Sequence, residues 1–179
     1  MDNMAVKKFN CGQSAGKTSK KILSIPARTA YYLSGFADGE ASFNVSLVNR
    51  QKDYKHGWKV ILCFNISQKD ETLPRLFQKA WRCGTIRYRK DGICYFEVRS
   101  IKDIIGIVIP FFKRFPFLPE DKKRKLVIFS RIAAIVAKKK HLERTGIEEI
   151  LKLRELMKVG RKRKYSMREI LDSYLEKSP

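Results

Sequence analysis

Residues 33–43 read LSGFADGEASF, and two residue types stand out there. Asp38 and Glu40 are carboxylates two positions apart, at the end of a segment with helical rhythm. Gly35 and Gly39 lie one turn apart in the same segment, where each interior glycine costs a helix roughly 1 kcal/mol relative to alanine. Both features ask for a purpose. A second set of candidates follows: Asn44, Ser46, Arg50, Lys59, Asn65, Arg87, Arg89, Glu97 and Arg99. Arg, Asn and Glu can make paired hydrogen bonds, which suits the edges of nucleic-acid bases better than plain solvation. Sulfur and imidazole chemistry fits poorly. Cys11, Cys63, Cys83 and Cys94 are scattered singly, with no C-x-x-C pair, and His56 lies far from His141. A structural zinc site is therefore not expected, and the thiols read as reduced.

Net charge narrows the partner. Lys and Arg total 39 against 18 acids, a formal +21 with a pI near 10.0. The excess runs along the chain, in KKRK (122–125), KKK (138–140) and RKRK (161–164). Such a field attracts polyanions, nucleic acid first. A membrane-surface binder would carry its lysines on one face of an amphipathic helix, whereas many of these basic residues fall in strand-like segments. No apolar run approaches the ~20 residues of a membrane span, and the N-terminus lacks both the apolar centre of a secretory signal and the arginines of a transit peptide.

The elements that would position these residues follow from the period. Residues 1–26 read as a flexible basic tail with a short turn near KKILSI, and 27–179 as one domain. Residues 28–39 are predicted helical. From Ala41 the period changes to two: Phe43, Val45 and Leu47 alternate with Asn44, Ser46 and Val48. After a polar loop at 51–57, WKVILCFNISQ alternates again. Residues 71–81 read as an amphipathic helix, with Pro74 in its first turn. TIRYR, the KDG turn at 90–92 and CYFEVRS make a hairpin, since Asp-Gly between alternating runs is a strong hairpin signal. Helices are expected at 101–113, 120–138, 146–158 and 166–177, with FPFLP at 115–119 as a break. The fold class is α+β, in the order α-ββ-α-ββ-α plus C-terminal helices. Four strands form an antiparallel sheet, apolar on the helix-covered side and polar on the other.

LSGFADGEASF, followed at once by a two-strand pattern, resembles the signature of the LAGLIDADG homing endonucleases, and the αββαββα order over roughly 28–135 resembles their core. The resemblance implies a saddle-shaped sheet that binds DNA. It gives the glycines a purpose: a helix face of Tyr32, Gly35, Phe36 and Gly39 along which a second helix approaches backbone to backbone. With one motif in the chain, that helix would come from an identical subunit, making a homodimer on a roughly palindromic double-stranded site. It also implies phosphodiester hydrolysis with divalent metals, Mg²⁺ above all, with Mn²⁺ or Ca²⁺ able to occupy the same positions. The metal-binding acid falls on Glu40, with the Gly39 carbonyl as an additional ligand, and Asp38, less directly catalytic, caps the helix or positions backbone. Gln68 matches a residue that organises water, and the basic residue assisting the phosphate is Lys122 or Lys123, of which Lys122 is preferred. Base readout is carried to Asn44, Ser46, Val48, Arg50, Lys59, Asn65, Arg87, Arg89, Tyr95, Glu97 and Arg99, with loop residues Gln51, Lys52, Tyr54 and Lys55 reaching outer base pairs. Lysines 138–140 and RKRK would hold phosphates. Ala41 stands where many members carry glycine.

The expected function is thus a site-specific, intron-encoded DNA endonuclease that promotes intron homing. Two other functions share the fold: an RNA maturase acting on its own intron, and a DNA-binding regulator without catalysis. An acid at Glu40 favours cleavage over either. The expected location is intracellular: a bacterial or archaeal cytoplasm, or an organelle such as a chloroplast or mitochondrion.

Overall fold

A computed structural model of the chain describes residues 24–53, 56–157 and 163–175. Residues 1–23, most of the predicted tail, lie outside them, as do Tyr54, Lys55, and Arg161 and Lys162 of the RKRK run. At the end of the predicted tail Ile25 is buried in the core, and the Pro26 carbonyl accepts from Ala30 N.

Helix α1 is Ala27–Glu40. Its buried stripe, Ala30, Leu33, Ser34 and Ala37, follows the helical period and is made mostly of small side chains, so the helix lies close against the core. Ser34 Oγ donates to the Phe115 carbonyl at 2.8 Å, pinning α1 to the segment before the next long helix. The chain turns extended at Ala41 and enters β1, Ser42–Asn49, where exposed and buried residues alternate as predicted.

Strand β2, Trp58–Gln68, pairs antiparallel with β1 from Ser42↔Asn65 to Asn49↔Trp58. Helix α2, Thr72–Trp81, then crosses to the hairpin of β3, Thr85–Tyr88, and β4, Cys94–Val98. The hairpin closes as the KDG signal predicts: Arg89 N donates to the Ile93 carbonyl, and Gly92 takes φ +77°. All pairs are antiparallel, and the strand order is β1-β2-β4-β3.

The described helices after β4 lie against the apolar face of the sheet and the β1–β2 hairpin. Residues 101–114 form α3, which the sequence predicts as a plain helix. It begins as Ile101–Asp103, widens into a π-turn at Ile104–Val108 and resumes at Ile109–Arg114. Pro110 is the reason at hand: it lacks an N–H, and its ring crowds the carbonyl of residue 106 in a regular α-helix. Helix α4, Glu120–Ala137, follows. Beneath the sheet lies an aromatic core in which Phe43, Phe64, Phe77, Trp81, Phe96, Phe112 and Phe129 meet ring to ring at 5–6.4 Å between centroids. Gly84 is required here, because at φ +80° a Cβ would come within 2.5 Å of the Phe96 ring and 2.8 Å of the Glu97 carbonyl.

The C-terminal helices start and stop differently from expectation. Helix α5 is Arg144–Leu156 rather than 146–158, and α6 is only Met167–Asp172. They carry a second, smaller core of Ile147, Leu151, Ile170 and Tyr174 against Leu47 and Trp58, at the tip of the β1–β2 hairpin.

Candidate active site and nucleic-acid interface

At the foot of α1 the end of the helix leaves carbonyls without intrahelical donors. The Ala37 carbonyl is taken by Ala41 N, and the Ala41 carbonyl by Lys122 Nζ at 2.5 Å. Glu40, the last residue of α1, is exposed, and its charge acts on Lys122 together with that of Asp38. Asp38 Oδ2 lies 3.5 Å from Leu118 N, in keeping with a backbone-positioning role, while Asp38 Oδ1 is buried with no hydrogen-bond partner. Lys122 is half-buried. Burial pushes its ammonium below the ordinary lysine value, Lys125 adds to this, and Asp38, Asp121 and Glu40 oppose it.

The two neighbouring lysines diverge. Lys123 turns to Glu120 at 2.7 Å and so faces the start of α4, not α1. Gln68 closes β2 opposite Cys94 and lines a shallow cavity of about 300 Å³ with Phe36, Asp70, Thr72 and Leu73.

Tyr32, Gly35 and Gly39 form an uncovered strip along α1: Tyr32 is 56% exposed, and a Cβ on either glycine would meet nothing within 4 Å. Packing among the described residues therefore gives no reason for either glycine. Phe36 departs from that strip. It is half-buried, packed on the main core with its ring 6.4 Å from Phe77.

The polar sheet face gathers the predicted readers from all four strands. Asn44, Ser46 and Val48 are exposed on β1, and Asn44 Nδ2 donates to Asn65 Oδ1 across to β2. Lys59, Arg87, Arg89 and Arg99 are exposed as well, while Tyr95 is half-buried, its hydroxyl accepting from Arg89 Nη1 at 2.8 Å. Arg50, Gln51 and Lys52 stand exposed in the β1–β2 loop, with Arg50 bound to Asp53 at 2.5 Å. Glu97 differs from the others. It is 9% exposed, and its two oxygens face Arg99 and Arg87. Lysines 138–140 are exposed at the end of α4, whereas Arg163 is drawn onto Glu155 and the Arg154 carbonyl.

One residue escaped sequence reasoning altogether. Arg154, half-buried on α5, donates to the Val45 carbonyl at 3.0 Å and so caps the outer rim of the edge strand β1. An arginine on a helical stripe carries no signal of that role, because its partner is a backbone atom 109 residues away.

Among the described residues no cluster of three His, Cys, Asp or Glu side chains gathers to hold a metal. The set at the foot of α1 is nonetheless of the kind Mg²⁺ uses, one or two carboxylates completed by substrate phosphates and water rather than an all-protein cage. No described helix is long and apolar enough to cross a membrane.

An αββαββα fold, a bare acid at the end of a glycine-lined helix and a basic sheet face together define a class, and sequence comparison agrees with it. Residues 33–133 match the family described as LAGLIDADG endonuclease, and the chain belongs to that family. It is 32% identical over 126 residues to a probable intron-encoded endonuclease 2 of Neurospora crassa, covering 69% of this chain and 26% of that protein. Among solved structures it resembles the meganuclease I-SmaMI bound to uncleaveable DNA, at 30% identity and TM-score 0.67, covering 74% of this chain and 45% of that one. It also resembles the homing endonuclease I-TnaI, at 26% identity and TM-score 0.67, covering 82% and 95%. The chain thus spans about a quarter of the curated relative, under half of I-SmaMI and nearly all of I-TnaI.

Proposed function

We propose that this chain is an intron-encoded, metal-dependent DNA endonuclease that cuts both strands of a long, roughly palindromic site and so promotes homing of its intron. The observation that carries this reading is the exposed Glu40 carboxylate at the end of the uncovered Tyr32–Gly35–Gly39 strip, beside a polar, arginine-rich sheet. Two copies packed along that strip would bring two Glu40 side chains together and place two sheets along one duplex. Family membership and the DNA-bound meganuclease relative support DNA as the partner.

In this reading Glu40 and the Gly39 carbonyl would hold Mg²⁺, or Mn²⁺ or Ca²⁺ in its place. When bound, the cation supplies charge neutralisation at the scissile phosphate and acidifies a water. The remaining work falls to the chain. Lys122, fixed on the Ala41 carbonyl, presents a positive charge beside the acids where a phosphate would lie. Asp38 holds the 118 backbone, and Gln68 would orient water from the end of β2. The compartment follows the genome that carries the intron.

The test joins the sequences that flank the encoding element and incubates this intron-free duplex with purified full chain and Mg²⁺. The expected result is a discrete double-strand cut at the junction, absent with EDTA and with Glu40→Gln. Tight binding without a cut in the wild type would make the chain a regulator. Neither binding nor cutting, with protection of the intron RNA, would make it a maturase.

A further inference from the structure

Glu97 lies at the middle of the polar face of the sheet, with Asn65 as its partner on β2 and Thr85 on β3. Its carboxylate is the most enclosed of the acids on that face: the side chain is 10% exposed, against 45% for Asp91 in the hairpin turn. Arg99 Nη2 donates to Oε1 at 3.0 Å. Arg87 Nε stands 3.4 Å from Oε2, an oxygen that is buried and has no hydrogen-bond partner. The two arginines are the reverse case, with side chains 61% and 50% exposed. One carboxylate is covered, while the two arginine side chains that cover it stay half or more exposed, Arg99 also hydrogen-bonding to Cys63.

We propose that Glu97 is a positioning residue for base readout, holding Arg87 and Arg99 in fixed directions on the sheet rather than contacting a base itself. The inference rests on DNA being the ligand of this face. A carboxylate withdrawn from water is strongly unfavourable unless paired, so breaking its hydrogen bond to Arg99 or its ion pair to Arg87 would carry a cost that orients both side chains. Arginine recognises guanine through a planar fork that must be aligned with the base edge. Fixing the fork beforehand removes part of the ordering cost on binding. Arg89 lacks such an anchor: its partners are Asp91 at 3.0 Å, in an exposed pair, and the Tyr95 hydroxyl. Exposed pairs of that kind contribute little.

The experiment selects bound duplexes from a randomised DNA library in Ca²⁺, using the full chain as wild type, Glu97→Gln, Arg87→Ala, Arg99→Ala and, as a control, Asp91→Asn. The two alanine variants define the base pairs their arginines read. Glu97→Gln is expected to lower the preference at those same base pairs by about fivefold or more, the low end of what a bidentate arginine contact contributes. Its affinity for non-specific duplex is expected to hold or rise, since an acid is removed. Asp91→Asn leaves those positions unchanged. Loss of preference at a base pair that neither alanine variant touches, with the arginine positions intact, would make Glu97 a direct reader and overturn the proposal. An unchanged profile would overturn it too. Should the wild type enrich no site, the DNA reading itself fails and this inference with it. If Glu97→Gln does not fold, Glu97→Asp, which keeps the charge on a shorter stem, is read by its preference at the same base pairs alone.

Discussion

Two adjacent lysines of the same type have different surroundings. Lys122 reaches back to the Ala41 carbonyl at 2.5 Å, within the influence of Asp38 and Glu40. Lys123 pairs with Glu120, an ion pair of largely exposed side chains that contributes little. Replacing Lys122 by Met is therefore expected to lower the cleavage rate about 100-fold or more, the usual effect of removing one electrostatic or acid–base group. Binding to the same duplex in Ca²⁺ should stay within a few-fold by the loss of a single phosphate contact. Lys123→Met should leave the rate nearly unchanged. Single-turnover cleavage and titration of uncut duplex check both, and equal loss in the two variants would remove the distinction. Cys63 adds to the residue-scale picture of the sheet: burial, followed by Glu97, pushes its thiol up, so the middle of the face is a poor place for an ionised sulfur.

Among the elements, α1 and the C-terminal helices invite opposite tests. In α1 a Cβ at Gly35 would meet open space, so Gly35→Ala is expected to stabilise the isolated chain by up to about 1 kcal/mol through helix propensity. If the strip packs against a second copy, the same change must weaken association. Sedimentation velocity beside chemical denaturation separates the two effects, and unaltered association would place the contact elsewhere. At the other end, the turn after α6 is tied to the β1–β2 hairpin by the Trp58 Nε1–Ser173 Oγ bond and by stacking of His56 on Tyr174, and to the segment between α4 and α5 by Tyr174 Oη donating to the His141 carbonyl. Burial pushes the Tyr174 hydroxyl from 10.0 up to about 12. The folded chain thus keeps a proton that the unfolded chain loses above about pH 10, so this contribution is complete below pH 10 and is lost as pH rises toward 12. Wild-type stability should fall more steeply across that window than that of Tyr174→Phe. Parallel slopes in urea titrations at several pH values would contradict this.

For the whole molecule the charge excess of +21 sets how binding responds to salt. If the sheet face and lysines 138–140 together meet six to ten phosphates, affinity should drop about 10³- to 10⁵-fold between 50 and 200 mM salt. A flat dependence would point away from a nucleic-acid ligand. Much of this molecule was legible in its sequence, because the signals are local. Alternation in β1 and β2, the KDG hairpin, and the glycines and acids of residues 33–43 depend on neighbours a few positions away. The family match begins at that stretch and runs to residue 133. The π-turn in α3 and the ends of α5 and α6 were not legible, since tertiary packing and one proline adjust boundaries that periodicity leaves loose. Candidate site residues could be named from type and spacing, but their contacts could not. That Phe36 turns to the core, that Lys122 rather than Lys123 meets α1, that Arg154 caps the rim of β1, and that Glu97 is enclosed by two arginines all depend on groups from distant segments meeting in one place. Residue type and spacing fixed which groups could do chemistry here. Only the packing of α1 and α4 against the sheet, and the register of β2 and β3 on β4, decided which of them touch, because pairing of charges depends on distance in space and not along the chain.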